Sequence, residues 1–435
     1  LVEESVVWKF AIGDDCLDSM SFLALKKVFQ MNLRYRFLIG LVVIFALVGM
    51  DGCMSQELKT ALSTEDAQVV SQLVQTNPND ISGASLKNYT LRGLELHDLT
   101  IKNVDMYNLD LQGAKLTNIT FEDCTLTGVD FSNSEFHNVR FMDTTLEPIG
   151  STPYDEKVTT FKSSLFDKVG FGEGSKLLDV EMHFLKKGSS IAIVECKIAA
   201  VVEGNSLVFY KSNLDNLLID RTDVGKEVTL SFSILGAGNV VIKNSSLKDV
   251  DLYGLNANNL ILENNRDSLL RVGGEIENVK IVKNSKAWIS IDGNIAKIYA
   301  SDNSSESDLS FGGEIDEVIV KDCDGLSIGF VRAKIASANV LNCNRISDIE
   351  WNSAVVEDMC LSSLDINEIN FFETSIKKLS IKDVELKKRS WIKDSEIAEA
   401  SVENLSILPT VKYEDTYKDS YKETEVFWNG LLSQQ

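Results

Sequence analysis

The sequence predicts an all-β solenoid, a stack of coils of about 20 residues each, closed at its N-terminal end by a short helix. Three observations carry that prediction. An apolar residue recurs at every fifth position, 13 times without a break, from Leu86 to Leu146. In the second half a triplet of apolar residues recurs at intervals near 20. The four prolines, Pro78, Pro148, Pro153 and Pro409, all fall outside the coils so defined, as expected where every strand position needs its N–H for a ladder.

Repeat architecture also fits the length. A chain of 435 residues would ordinarily fold as two or three domains, but stacked repeats bury each apolar face on the next and extend one core lengthwise. Apolar residues make up 44% of the chain, enough for such a core. The net charge of −22 argues against direct nucleic-acid binding, which needs a basic face. It is compatible with solubility, with basic partners and with mimicry of a polyanion.

The N-terminus is set aside from the fold. Met31 is followed by Arg34 and Arg36, an apolar run of 14 residues from Phe37 to Met50, and then Gly52-Cys53. That run is short for a bilayer span, which takes about 20 residues, and suits the core of a signal peptide. A small residue before a cysteine at the end of such a core resembles the lipobox of bacterial lipoproteins, with Asp51 a departure from the usual small or apolar residue. The resemblance implies acylation of Cys53, a membrane anchor through that lipid and a place in the bacterial cell envelope as an outer-membrane lipoprotein, periplasmic or surface-exposed. An ordinary signal peptide or an uncleaved anchor is the plainer alternative for residues 31–53. Residues 1–30 then read as a non-native upstream extension, and 54–80 as a linker with the capping helix.

The period of five needs its own explanation, because helices repeat at 3.6 and strands at 2. Within 81–173 the centres include Leu111, Leu116, Phe121, Leu126, Phe131, Phe136 and Phe141. Two residues before each centre lies a second register (Ala114, Ile119, Cys124, Val129, Ser134), and Asn, Asp or Gly closes many units. The segment GAKLTNITFEDCTLTGVDFSNSEF, residues 113–136, closely resembles the pentapeptide-repeat family, whose units are written A-(D/N)-L-x-x. The resemblance implies that four units form one square coil of a right-handed parallel β-helix, with the centre and the residue two before it pointing inward. Tyr89, Leu94, Leu99 and Leu109 replace the small residue, which predicts swollen first coils. The rhythm breaks at 147–158, read as a loop, and returns at Phe161, Phe166 and Phe171.

From 214 to 407 the pattern apolar-x-x-apolar-x-apolar starts at Leu214, Ile276, Ile295, Ile315, Ile335, Val356, Ile376 and Ile397, with weaker copies at Leu235 and Leu255. A period near 20 marks stacked coils. Asn244, Asn264, Asn284, Asp322, Asn342, Asp383 and Asn404 close the strands, either as stacked side-chain ladders or as plain turn formers. Residues 174–213 fit neither period and read as irregular coils. Cys323 and Cys343 are one coil apart. A coil rise of about 4.8 Å lies within the Cα–Cα span of a disulfide, so they read as a bridge or as two free thiols.

Both ends need caps. Residues 63–75 read as an amphipathic helix with Ser63 or Thr64 as N-cap and with Val69, Val70, Leu73 and Val74 on one face. The tail 408–435 carries Tyr413, Tyr417 and Tyr421 at helical spacing, then Phe427 and Trp428. It reads as a C-terminal helical cap or as the contact of a homodimer.

Chemistry is sparsely written. His97 and His137 fall at outward positions two coils apart, and His183 is the third histidine. The sequence has no GxSxG, HExxH or phosphate-binding signature in a fitting context, so no catalytic, cofactor or metal residue is predicted. The expectation is a non-catalytic, envelope-anchored scaffold or binding surface for a protein or glycan. Two alternatives stand beside it. One is an acidic DNA mimic of the kind that protects DNA gyrase, which export disfavours. The other is a polysaccharide-acting β-helix enzyme, whose site would come from the 147–213 region.

Overall fold

The computed structural model describes residues 54–150, 157–199, 207–224, 230–247, 250–304, 306–387 and 390–407, with 428, 430 and 433 beyond them. The signal-peptide and Cys53 readings, residues 151–156 of the loop and 408–427 of the tail lie outside the described residues. The unit from Met54 onward is a parallel β-solenoid.

In the front coils the pentad becomes a geometric unit. Strands such as Ser85–Lys87, Asp105–Tyr107 and Thr125–Thr127 are three residues long, with only the centre buried. A corner then turns the chain. Every fifth residue from Asn88 to Asp143 occupies the left-handed region, with φ between +47° and +72°. That region is costly for most L-residues and tolerated by Asn, Asp and Gly, which is why those three types close the units. Neighbouring coils pair in parallel with a shift of 20, as in Leu86↔Met106, Met106↔Leu126 and Leu126↔Leu146. The seven repeat centres from Leu111 to Phe141 are all buried.

Equal spacing stacks like on like. Phe121 and Phe141 lie 4.9 Å apart at 5°, Phe141 and Phe171 4.8 Å apart at 10°, and Phe131 and Phe161 5.1 Å apart at 2°. Each buried ring contributes about 2–3 kcal/mol of transfer free energy. An apolar chamber of about 40 Å³ lies among Leu58, Leu62, Leu91, Leu94 and their neighbours.

Behind the front coils the hydrogen-bond ladder continues across some corners, giving strands of up to 18 residues such as Leu269–Val282, Trp288–Ser301 and Val355–Phe372, the last still turning at Ser363 with φ +56°. The apolar triplets are their inward positions: Ile276↔Ile295↔Ile315↔Ile335↔Val356↔Ile376↔Ile397 form one column. Its earlier members are Ala237 and Ala257, not Leu235 and Leu255. An alanine at both positions is too weak an apolar signal to mark the register in the sequence.

Another inward column runs through nearly the whole stack and, between Cys124 and Cys343, is built of Ser, Thr, Asn and Cys. Inter-coil backbone bonds place Val104, Cys124, Thr144, Ser175, Cys196, Thr222, Ser245, Asn265, Asn284, Asn303, Cys323 and Cys343 one above another. Their side chains satisfy the backbone at the turn. Ser175 Oγ accepts from Thr144 N–H at 3.1 Å, Ser245 Oγ from Thr222 N–H at 3.2 Å and Asn265 Oδ1 from Ser245 N–H at 3.1 Å. Asn284 belongs here, not to the exposed closing ladder. The coil at that point is one residue short, so Lys283 takes the left-handed corner beneath Asn264. The exposed ladder does form elsewhere: Asn264 Nδ2 donates to Asn244 Oδ1 at 2.7 Å, and Asn404 Nδ2 to Asp383 Oδ1 at 2.8 Å.

Cys323 and Cys343 stack as expected, but both are free thiols rather than a bridge. Each thiol turns to a carbonyl of its own coil, Cys323 to Lys321 O and Cys343 to Leu341 O, both at 3.2 Å. Equivalent orientations repeat the sulfurs at the coil rise of about 4.8 Å, well beyond the bond length of about 2.05 Å. Cys343 Sγ instead accepts the N–H of Cys323 at 3.4 Å.

The segment expected to be irregular keeps its stacking. Lys176–Leu178 pairs with Lys197–Ala199, and Val180, Ile191 and Ile193 are buried. Thr144 and Ser175 are 31 residues apart, and Cys196 and Thr222 are 26. The extra residues hide the period from the sequence while the inward column continues. Ile149 and Lys157 bridge antiparallel at the base of the loop.

The N-terminal cap is two helices, α1 (Gln56–Ser63) and α2 (Ala67–Thr76). The N-cap of α2 is Asp66, whose side chain accepts from Gln68 N–H and Val69 N–H at 3.1 Å. Ser63 and Thr64 instead end α1. Val70 and Val74 face the core, while Val69 is exposed. The cap also pairs the open strand edge. The Gln75 amide donates to His97 O at 2.6 Å and accepts His97 N–H at 3.1 Å, and Ser71 Oγ accepts Glu95 N–H at 3.0 Å. Trp428, near the C-terminus of the chain, is buried with the core.

Candidate functional site

A β-solenoid presents its side chains in vertical files, so any site on it is a stretch of neighbouring files. The histidines build none. His97 and His137 share a file with Thr117 between them, and His137 Nδ1 lies 3.3 Å from Asp167 Oδ2. Among the described residues no group of three or more His, Cys, Asp or Glu side chains is placed to hold a metal ion. Nor is any helix among them long and apolar enough to cross a membrane.

The face formed by the anchor columns is laced with charge. Opposite charges meet one coil apart in Glu95–Lys115 at 2.8 Å, Lys297–Glu317 at 2.5 Å, Glu314–Lys334 at 2.9 Å and Glu357–Lys377 at 2.7 Å. A hydrogen bond from the lysine holds Lys115 and Lys377 above the usual range of that residue. Asn118 and His97 hold Asp98 below the usual carboxylate range, and Arg345 does the same for Asp324. These pairs are exposed and add little stability; they hold the surface ordered and mixed in sign.

Uncharged files are also spent internally. Asn239 Nδ2 donates to Asn216 Oδ1 at 2.9 Å and Asn259 Nδ2 to Asn239 Oδ1 at 2.8 Å.

Open grooves interrupt this surface among the described residues, one of them of about 370 Å³ between α2 and the first coil along Gln72, Gln75, Glu95 and His97, and two further along the stack. One, of about 430 Å³, lies along Asn256, Glu275, Asn294 and Glu314, with Glu277 and Asp316 beside them. The other, of about 360 Å³, lies over the last coils. One wall of the second groove is Asp358, Lys378 and Glu399, and the opposite wall is Asn339, Cys360, Ser380 and Ser401. Between the walls runs the backbone of Met359, Leu379 and Ala400, with the Met359 and Leu379 side chains buried in the core. The second wall continues the file Ile261, Lys280, Tyr299 and Ile319. Bulky side chains fill the hollow in the earlier coils, and short polar ones open it from Asn339 onward.

The groove escaped the sequence reading, which followed the inward positions. Once register is known it is visible as a switch in residue size at the position before the last anchor of each triplet. Burial pushes the Cys360 thiol upward from its ordinary value. The fully interior Cys196 is pushed, also by burial, up to about 12. The Cys323 sulfur beside it and burial push the Cys343 thiol upward as well. Such thiols are neutral and poor nucleophiles.

Residues 81–150 match a family described as a pentapeptide repeat region. Among solved structures the chain is similar to HetL, a pentapeptide repeat protein involved in heterocyst differentiation regulation from the cyanobacterium Nostoc. The identity is 11% over 71% of this chain and 87% of that one, with a TM-score of 0.16. No curated protein matches the chain.

Proposed function

We propose that this solenoid, whose coils from 81 to 150 are a pentapeptide repeat region, is a non-catalytic scaffold held at the bacterial cell envelope, offering its faces to a protein or glycan. The observation that carries the scaffold reading is the continuous core, from Leu58 in the cap helix α1 to Leu405 in the last coil, under outward files that repeat coil by coil. Such a stack is stiff and fixes its surface groups without induced fit, the property a binding platform needs. The envelope placement rests on the Arg34/Arg36, apolar-run and Gly52-Cys53 pattern. A lipid on Cys53 would tether the solenoid one short linker from α1.

Palmitate labelling with membrane fractionation tests the placement, comparing the wild type with Cys53→Ala. Label and membrane association in the wild type, both lost in the variant, are the expected result. A wild-type chain that takes no label and stays in the cytoplasm overturns the envelope reading.

A further inference from the structure

On one face of the rear coils we infer a docking surface for a Lys/Arg-rich segment of a partner protein; the inference rests on the binding-scaffold reading above and names the chemistry of its partner. The face is the outward side of the residues that open each rear coil. Tyr253 at 54%, Trp288 at 48% and Val331 at 40% exposure lie on it, three of the seven large apolar side chains left exposed among the described residues. Single exposed apolar residues are ordinary, whereas a group on one face marks a contact surface. Register fixes their places. Asp308 stands directly above Trp288, and Tyr253, Gly273, Asp292 and Gly312 share a file that Val331 continues. A Cβ on Gly273 would lie 3.2 Å from the Tyr253 ring, so the ring rests over the bare backbone of the next coil.

Charge complementarity fixes the occupant. On the face of the anchor columns opposite charges pair off one coil apart, as in Lys297–Glu317 and Glu314–Lys334. Beside the exposed aromatics that pairing stops. The Asp292 and Asp308 side chains make no ion pair or hydrogen bond among the described residues. Asp348 bonds to the neutral Ser327 and Ser347, Glu350 to the neutral Asn352, and Arg271 is paired with Asp251 at 2.5 Å. An aromatic ring next to an unpaired carboxylate recognises a cation twice, through the ring face and through a charge-assisted hydrogen bond. Each such contact is weak at an exposed site. Trp288 and Asp292 are four residues apart on one strand, about 13 Å, so one small cation cannot engage both. The occupant is therefore an extended segment carrying several cations. The net charge of −22 draws such a segment to the rod, and the aromatic face decides where it lands.

Fluorescence anisotropy of a labelled Lys-Arg-Ala repeat peptide titrated with the full chain tests this, at about 0.15 M salt, where exposed charges more than about 8 Å apart are screened. Binding is expected, weakened about tenfold or more by Trp288→Ala and by the pair Asp292→Asn and Asp308→Asn. The pair Glu277→Gln and Asp316→Asn removes the same charge beside the groove of Asn256 and Glu275, and should change binding less than about twofold. Thermal melting establishes that the variants are folded. No binding of the peptide, equal losses from the two acid pairs, binding indifferent to Trp288→Ala, or spermidine held as tightly as the peptide overturns the assignment. Cys53 labelling reads the envelope placement separately, so the two can fail independently.

Discussion

The backbone N–H of Asn284 donates to Oδ1 of Asn303 at 2.9 Å, and the Asn284 side-chain amide reaches the same oxygen at 3.1 Å. Asn284 Oδ1 in turn accepts the N–H and the side-chain amide of Asn265 at 3.0 and 3.1 Å. All three residues are inside the core. Each coil therefore completes the turn above it, and the chain of amides polarises along its length.

Replacing Asn284 by Leu removes one link and strands its neighbours. The Asn265 N–H loses its acceptor in a dry site, at about 1–3 kcal/mol for an unpaired buried group, and the Asn265 side-chain amide keeps only its bond to Ile242 O. Asn284→Leu should lower stability by about 3 kcal/mol or more, read from the urea midpoint. Asn284→Ser, which keeps an acceptor as Ser245 does in the same column, should cost less than half of that. Equal losses would show that volume rather than hydrogen bonding governs the column.

Gly293 sits in the file Leu255, Gly274, Gly293 and Gly313, where one coil's backbone lies against the next. A Cβ on Gly293 would lie 2.1 Å from Gly274 O and 2.7 Å from Gly274 N. Neither atom can yield without opening the ladder. Gly293→Ala is expected to cost about 3 kcal/mol, and Gly93→Ala, where a Cβ meets nothing within 4 Å, only the left-handed penalty of about 1–2 kcal/mol. Circular-dichroism melts of the two variants give the comparison. A milder effect at Gly293 than at Gly93 would refute the close-approach argument.

Burial raises the Cys196 thiol to about 12 in the folded chain, against about 8.5 unfolded. The folded state thus holds its proton more tightly. This stabilisation is fully present below about pH 8.5 and is lost as pH rises toward 12, by about 1 kcal/mol per unit. Cys196→Ser should therefore flatten the decline in stability between pH 9 and pH 11 while leaving its pH dependence near neutrality unchanged. An alkaline slope identical in the two proteins would remove Cys196 as its cause.

What the sequence makes legible depends on how strictly position dictates residue type. From Asn88 to Asp143 the left-handed corners are all Asn, Asp or Gly and the centres are all Leu, Phe, Ile or Met, so the coil can be read off the chain. The anchor triplets are as plain from Ile276 onward. Register fails at Ala237 and Ala257, where the inward residue is small, and at Asn284, where a coil one residue short carries a turn-like residue inside. Stacking is hidden between Thr144 and Thr222 because added residues break the period without breaking the column. The groove was missed for a different reason. It is defined by how little its outward side chains fill and bond, and periodicity reports only what is buried.

The same column logic decides how the front coils tolerate deletion. Removing residues 104–123 excises one full coil and joins Asn103 to Cys124. Ala84 then faces Cys124 as it faces Val104 in the wild type, and only one coil's nearest-neighbour energy is lost. Removing Asn108–Gln112 leaves every pentad intact but rotates all later coils by a quarter turn relative to those before. Leu86 and Met106 would keep their pairing while Leu126 moved to a different side of the square. The inward columns, bulky in one file and small in the next, would then meet the wrong neighbours. The five-residue deletion should therefore lower the urea midpoint more than the twenty-residue deletion, although it removes a quarter as many residues. Matching midpoints for the two would show that the pentads stack without fixed files, against the register described above.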